Sequence, residues 1–527
     1  MTEKPDFILN FKKPVNTEIK KIGNNWYLYE RFNKYDPVIK RSRKVSGPCL
    51  GKITENGLIP SVKRKVNVNE PLVNDVVSVG STLFYWQRTA ALRERLQRHF
   101  PTLWERLFVT ALLRLKDPRF KRLQLHFENS LLSQKFPSLQ FSKAENAEFL
   151  TMLGKRRQAI TDFMREDIDH KGTFVLFDGH RLISSSRTME FAELGYDSKR
   201  RYMPQLNLLY VYSVGDQVGA PIYYKQYIGS TPDVSAFADI LTETQLEGRN
   251  YTIIADKGFA SEADFDLMSS RNLNYIVPLH RGNRFAKDRI PTSPQGYEQI
   301  FVFKGRAIHS RKVSDNTSTS EQVFLYFDAQ LYADEMADAT LRAEKLNATN
   351  EKKLELEQAR RTKGHGRLTD QEFADLLPMD LIDIHEQKPG MGTVTIRTNR
   401  MDLNAQQVYC IYKQRQAIEQ FFRTYGATLE FDASYMRNRE KEEGWLFLNH
   451  LSAMIGIDVL HEIAEMDESK NISLDDLTQT LEKITASRVV NQWQVAPIKR
   501  SVQKLLEKFE FECTSTGIDA LLAVGDS

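Results

Sequence analysis

The sequence predicts an α/β protein: a mixed sheet flanked by helices, interrupted by a β-rich insertion and preceded by a small N-terminal β unit and an α-helical region. Three observations predict it. The apolar runs TFVLFDGH, NLLYVYSV (207–214) and APIYYKQYIG (220–229) follow one another as strands, after which helix-like and strand-like segments alternate. Residues 17–59 are β-prone and broken by turn residues. From Leu83 to Arg165 the pattern is helical, punctuated by Pro101, Pro118 and Pro137.

In chain order, EIKKIG, NNWYLYERF and PVIKRSRKVSG form the expected N-terminal strands, and FYWQRTAALRERLQRHF and LWERLFVTALLRLK the helices that follow. After the three strands come a helix over 233–248, the strand YTIIADKGF, the helix SEADFDLMSSRN and the strand LNYIVPL. QIFVFKGRAIHS and QVFLYFDAQ are further strands before a long charged helix at 334–361, whose thin apolar stripe suits a solvated or partner-bound helix. GTVTIRTNR (392–400) is a strand, and apolar helices follow at 444–464. The expected units are 1–65, a basic β-rich unit; 80–165, a helical DNA-binding region; 170–285 with 400–465, the core; 286–399, the insertion; and 466–527, a helical tail.

The chain has 527 residues, enough for several cores, and its net charge of +4 is unevenly spread. In residues 1–165, Lys and Arg outnumber Asp and Glu by about two to one. Such a basic third suits either a solvated surface or a polyanionic partner, of which nucleic acid is the commonest. No apolar run reaches the length of a membrane span and no secretory signal is legible, so no membrane association is expected. Cys49, Cys410 and Cys513 are widely spaced and build neither a zinc site nor a disulfide framework, which suits a reducing cytoplasm.

Three carboxylates carry the chemistry. Asp178 in FVLFDG and Asp256 in IIADKG are expected to close apolar strands, where ligands of α/β folds bind. Either aspartate alone also serves as a turn residue. The third is Glu419 in YCIYKQRQAIEQFF. On a helix at about 100° per residue, Tyr412, Arg415, Glu419 and Arg423 fall within about 80° of one another. An ordinary i,i+4 pairing of Glu419 with its arginines is the plain alternative. Together the three acids make a donor set for hard divalent cations, with arginine and tyrosine placed to hold phosphates.

The motifs YKQRQAIE, IIADKGF and FVLFDGH together resemble the DDE transposases of bacterial insertion sequences, in the branch with a Y-x2-R-x3-E-x6-K signature. The resemblance runs from about residue 17 to 465 and includes YMRNREKEEGWLFLNHLSA. It implies a ribonuclease-H-like catalytic core, with Asp178, Asp256 and Glu419 as catalytic residues and ligands of two Mg²⁺ ions, Mn²⁺ substituting. It also implies that Tyr412 and Arg415 contact DNA, with Arg423 as a helper, and that the gap from Asp256 to Glu419 holds an inserted β-rich subdomain. The chain departs from the signature at Gly426, where the final lysine falls, and at Gln416, where many relatives carry tryptophan.

The activity so implied is binding of terminal inverted repeats, strand cleavage and strand transfer by a homodimer on double-stranded DNA, both transposon ends and target, in a bacterial cytoplasm. Lys20, Lys21, Lys40, Arg41, Arg43 and Lys44 are electrostatic candidates for phosphate contacts. Two alternatives stay open: an inactive or domesticated DNA-binding relative, and a ribonuclease-H-like nuclease without strand transfer.

Overall fold

The computed structural model describes residues 4–36, 41–55, 57–60, 73–170, 174–186, 188–196, 202–214, 219–231, 233–246, 251–283, 288–291, 296–313, 320–374, 376, 390–416, 426, 429, 431, 433–466, 472–490 and 492–523. They form two compact units, Met1–Asp75 with Ser487–Gln494, and Val76–Ala486 with Val495–Ser527.

The first unit holds a four-stranded antiparallel sheet in the order β1 (Thr17–Ile22), β2 (Asn25–Asp36), β3 (Arg41–Thr54), β4 (Gly57–Pro60). Alternation in NWYL turns Trp26 and Leu28 to one face, where they pack with Ile8 and Ile53. Gly23, at φ +60°, supplies the left-handed turn between β1 and β2.

The second unit begins with helices: α1 (Gly80–Arg88), α2 (Ala90–His99), α3 (Trp104–Lys116), α4 (Lys143–Gly154) and α5 (Arg157–His170). Apolar residues recur all round α3, and nearly all of it is buried. Many arginines of this region are engaged internally. Arg88 pairs with Glu462 at 2.9 Å, Arg95 with Asp167 at 2.6 Å, and the buried Arg114 donates to Asn449 at 2.6 Å.

Next come β5 (Phe174–Ser184), β6 (Glu193–Tyr196), β7 (Tyr202–Val214), β8 (Gly219–Tyr227), α6 (Asp233–Thr244), β9 (Thr252–Ala255), α7 (Glu262–Ser270) and β10 (Asn274–Leu279). β5, β7 and β8 pair antiparallel, while β9 lies parallel between β5 and β10. The spatial order of these strands is β8-β7-β5-β9-β10. The three predicted strands and the helix, strand, helix, strand after them are present, and the short β6 adds a fourth strand that the sequence reading did not include.

β11 (Gln299–Phe303), β12 (Arg306–Val313), β13 (Gln322–Asp328), the 34-residue helix α8 (Ala329–Thr362) and β14 (Thr393–Thr398) follow. β14 pairs with both β10 and β13, so these strands extend the same mixed sheet, which has 11 strands among the described residues. That pairing covers the edge β10 would otherwise leave open. α9 (Ala405–Lys413), β15 (Ala433–Ser434) and α10 (Arg439–Glu465) complete the core.

α10 lies between the helices and the sheet. Ser452 donates to the Ala111 carbonyl at 2.9 Å, and Tyr210 Oη lies 2.6 Å from His450 Nδ1. It meets α4 at backbone contact, because a Cβ on Gly444 would lie 2.4 Å from the Leu150 carbonyl oxygen. α6 packs through Phe237 on Phe177, with ring centroids 5.0 Å apart. Helices thus flank the sheet. Among the described residues, no helix is long and apolar enough to cross a membrane, and all three cysteines are free thiols.

Candidate active site

Asp256 stands where the sequence puts it, directly after β9, whose four residues are all buried. A tight turn follows, in which the Lys257 N–H donates to Asp256 Oδ1 at 2.7 Å. Asp178 is placed differently. It lies inside the 11-residue β5 rather than at its end, because β7 keeps pairing with β5 as far as Ile183. An Asp-Gly step resembles a strand end locally, but a long antiparallel partner carries the ladder through it.

β5 and β9 run parallel in the register Thr252↔Phe174 to Ala255↔Phe177, so the pairing ends one residue before Asp178 and Asp256, on strands about 4.8 Å apart. Asp178 shares its face of β5 with Tyr210, its partner on β7, whose hydroxyl meets α10.

The first part of the predicted glutamate helix is α9, and a turn at Gln414 and Arg415 interrupts the helix before it resumes at Gln416. Asn404 and Gln407 form a capping box at the start of α9. Tyr409 anchors it to the inserted strands, its ring centroid 4.9 Å from that of Tyr326 and 5.6 Å from that of Phe301. Tyr326 Oη donates to the Ala405 carbonyl at 2.7 Å. α9 ends at Lys413. The N–H groups of Gln414 and Arg415 reach the carbonyls of Ile411 and Tyr412, three residues back, which tightens the last turn. Tyr412 is therefore on the helix and half-buried, and Arg415 lies just past it.

From that position Arg415 Nη1 reaches Asp256 Oδ1 at 3.2 Å. Asp256 and Arg415 are thus paired, and Asp178 lies on the strand parallel to the one that Asp256 follows. Glu419 and Arg423 lie outside the described residues. Among the described residues, no group of three or more His, Cys, Asp or Glu stands ready to hold a metal. The two aspartates supply oxygen donors of the kind Mg²⁺ takes, with the charge to match. In donor type they fit a hard divalent cation.

Behind the site lies a polar network that the sequence does not announce. Arg157 on α5 donates to Glu443 at 2.8 Å and to Glu243 at 3.1 Å. Glu443 also accepts from Tyr224 at 2.9 Å and from Gln226 at 2.7 Å. Burial opposes ionisation of Glu243, but Lys225, Tyr223 and Arg157 hold its carboxyl down at about 2. The adjacent Glu442 is pushed up to about 7 by burial, against a hydrogen bond from Ser434 and with the charge of Glu443 adding to the rise. In sequence Glu442 reads as a first-turn acid of α10, favoured there by the helix dipole, and Glu443 as the residue after it. The sole available hint was two adjacent acids before an apolar run.

No curated protein matches this chain. Among solved structures, it is similar to piggyBac transposase in a cryo-EM synaptic complex with hairpin DNA, at a TM-score of 0.37 and 10% identity, over 80% of this chain and 75% of that one. The strands bearing both aspartates, α9 and most of α10 fall within residues 164–455, which match the family model described as the transposase DDE domain and make up more than half of the sequence; the chain belongs to that family.

Proposed function

We propose that the protein is a DNA transposase that binds the terminal inverted repeats of an insertion sequence and carries out metal-dependent strand cleavage and strand transfer. The observation carrying this reading is the parallel register of β5 and β9, whose last pair, Ala255↔Phe177, comes one residue before each aspartate. Two adjacent carboxylates at the end of a parallel pair repel one another unless a cation lies between or beside them. Asp178 and Asp256, with Glu419 from the segment after α9, would hold Mg²⁺, or Mn²⁺ in its place. When bound, two such ions supply the charge that activates a hydroxyl nucleophile and stabilises the leaving oxygen of a phosphodiester.

The chain's own residues do the positioning. Arg415 pairs with Asp256 and carries a planar guanidinium of the kind that binds phosphate through two hydrogen bonds. Tyr412, one turn back on α9, offers a hydroxyl to the same phosphate run, and Arg423 is proposed to extend it. The inserted strands hold α9 in place through Tyr326 and Tyr409. A homodimer would hold two ends together during transfer.

The test is Mg²⁺-dependent cleavage and joining of end-containing duplexes by the purified protein. Glu419→Gln should abolish cleavage while duplex binding persists. Cleavage retained by that variant removes Glu419 from the site, and cleavage without joining of a 3′-OH end assigns a nuclease instead.

A further inference from the structure

The β2–β3 pair is longer than the sheet it belongs to. β1 pairs with β2 only from Asn25 to Glu30, and β4 pairs with β3 only from Gly51 to Thr54. Beyond them, Phe32 to Asp36 and Arg41 to Val45 pair with each other alone among the described strands. Register shifts between Leu28 and Tyr29 and between Tyr29 and Arg31 mark bulges at the base, the device that bends a ribbon out of its sheet. Gly47 keeps the base closed, since a Cβ there would lie 2.8 Å from the Phe32 ring.

The arm is strongly basic. Residues 31–36 and 41–46 hold Arg31, Lys34, Arg41, Arg43 and Lys44 against the single acid Asp36. Arg41, Arg43 and Lys44 are exposed, as are Asn33 and Phe32, the latter at 49%. By register, Arg41 and Arg43 share a face with Phe32, and Lys44 lies on the other with Asn33, so cations project from both faces. Arg88, Arg95 and Arg157 of the helical region are less exposed than these arm residues, their side chains being 13–26% exposed.

We propose that this arm enters the major groove of double-stranded DNA and grips the phosphates on both of its walls. A two-stranded ribbon fits that groove, which is about 12 Å wide and 8.5 Å deep. Five or six paired residues at about 3.3 Å each give a reach of roughly 17–20 Å, longer than the groove is deep. Cations on both faces meet both phosphate walls. The assignment rests on the DNA-processing function proposed above and names the surface that holds the duplex.

The experiment uses the full chain in EDTA, so that no cleavage contributes, with a fluorescein-labelled 40-base-pair duplex of mixed sequence and anisotropy read between 50 and 200 mM NaCl. R41A/R43A/K44A should lose about three phosphate contacts, lowering the log–log salt slope by about 2.7, equivalent to about 40-fold less salt-induced weakening over that range. The conservative R41K/R43K should keep the slope, and an unchanged melting temperature should show that the triple variant is folded. Methyl green, a major-groove ligand, should displace the wild type, and netropsin, a minor-groove ligand, should not. Wild-type binding with an unaltered slope in the triple variant overturns the arm and leaves the transposase reading standing. Displacement by netropsin alone, or tighter binding of single-stranded RNA than of the duplex, also overturns it. A slope change without Mg²⁺-dependent cleavage by the wild type keeps the arm and sinks the transposase reading.

Discussion

Replacing Arg415 with alanine should cost the fold little and the reaction much. The ion pair of Arg415 with Asp256 spans 3.2 Å between side chains that are 19% and 37% exposed. In water, unit charges at that distance attract by about 1 kcal/mol, and pairs with this much exposure contribute about 0.2–1 kcal/mol. Arg415 also lies beyond the last turn of α9, so its removal leaves the capping box and the Tyr409 anchor intact. Chemical unfolding should therefore show a loss below about 1 kcal/mol. If the guanidinium turns to a phosphate when DNA arrives, the variant loses one charge-assisted hydrogen bond, about 1.5–3 kcal/mol, or roughly 10- to 150-fold in rate. The assay is single-turnover cleavage of an end-containing duplex at saturating Mg²⁺, with the Mg²⁺ dependence measured alongside. A stability loss above about 2 kcal/mol, or a cleavage rate within twofold of wild type, would refute the reasoning.

Three further outcomes follow from the network behind the site and from the closest helix crossing. Arg157→Leu leaves the buried Glu443 without its cation and should destabilise by about 3–5 kcal/mol in urea unfolding, with Arg157→Leu/Glu443→Gln recovering a large part; a loss under 1 kcal/mol for the single variant contradicts the brace. Glu442 is held near 7 in the fold, so its contribution is fully present below its ordinary value of 4.5 and is lost as pH rises through 7. Glu442→Gln should match the wild type at pH 4 and exceed it at pH 8 by on the order of 3 kcal/mol, and parallel stability curves across that range would remove Glu442 as the cause. Gly444→Ala should cost about 1–3 kcal/mol, read as a lower melting temperature, because α10 and α4 must separate to admit a methyl group; an unchanged melting temperature would show that the crossing is loose.

Local sequence carries the order of elements, because strand and helix leave periods of about 2 and 3.6 residues in a short window. On that basis the three strands, the following alternation, the long charged helix and the position of Asp256 were legible. The start of the helix bearing Tyr412 was not read from the sequence, although Asn404 and Gln407 cap it within four residues. Nor was the turn at Gln414 and Arg415, which interrupts the regular angular pattern before helix resumes at Gln416 and from which Arg415 reaches across to Asp256.

Tertiary structure alone decided the remaining features, which join residues far apart in the chain. Asp178 lies mid-strand because β7 continues to pair past it, and its strand runs parallel to the one that Asp256 follows. The strands from 299 to 398 join the main sheet because β14 covers the edge of β10. Glu443 is buried against Arg157, 286 positions away, although a helix N-terminus is an ordinary place for an acid. Periodicity reports which face a residue takes within its own element, whereas register and burial depend on which elements become neighbours, and no local window contains that choice.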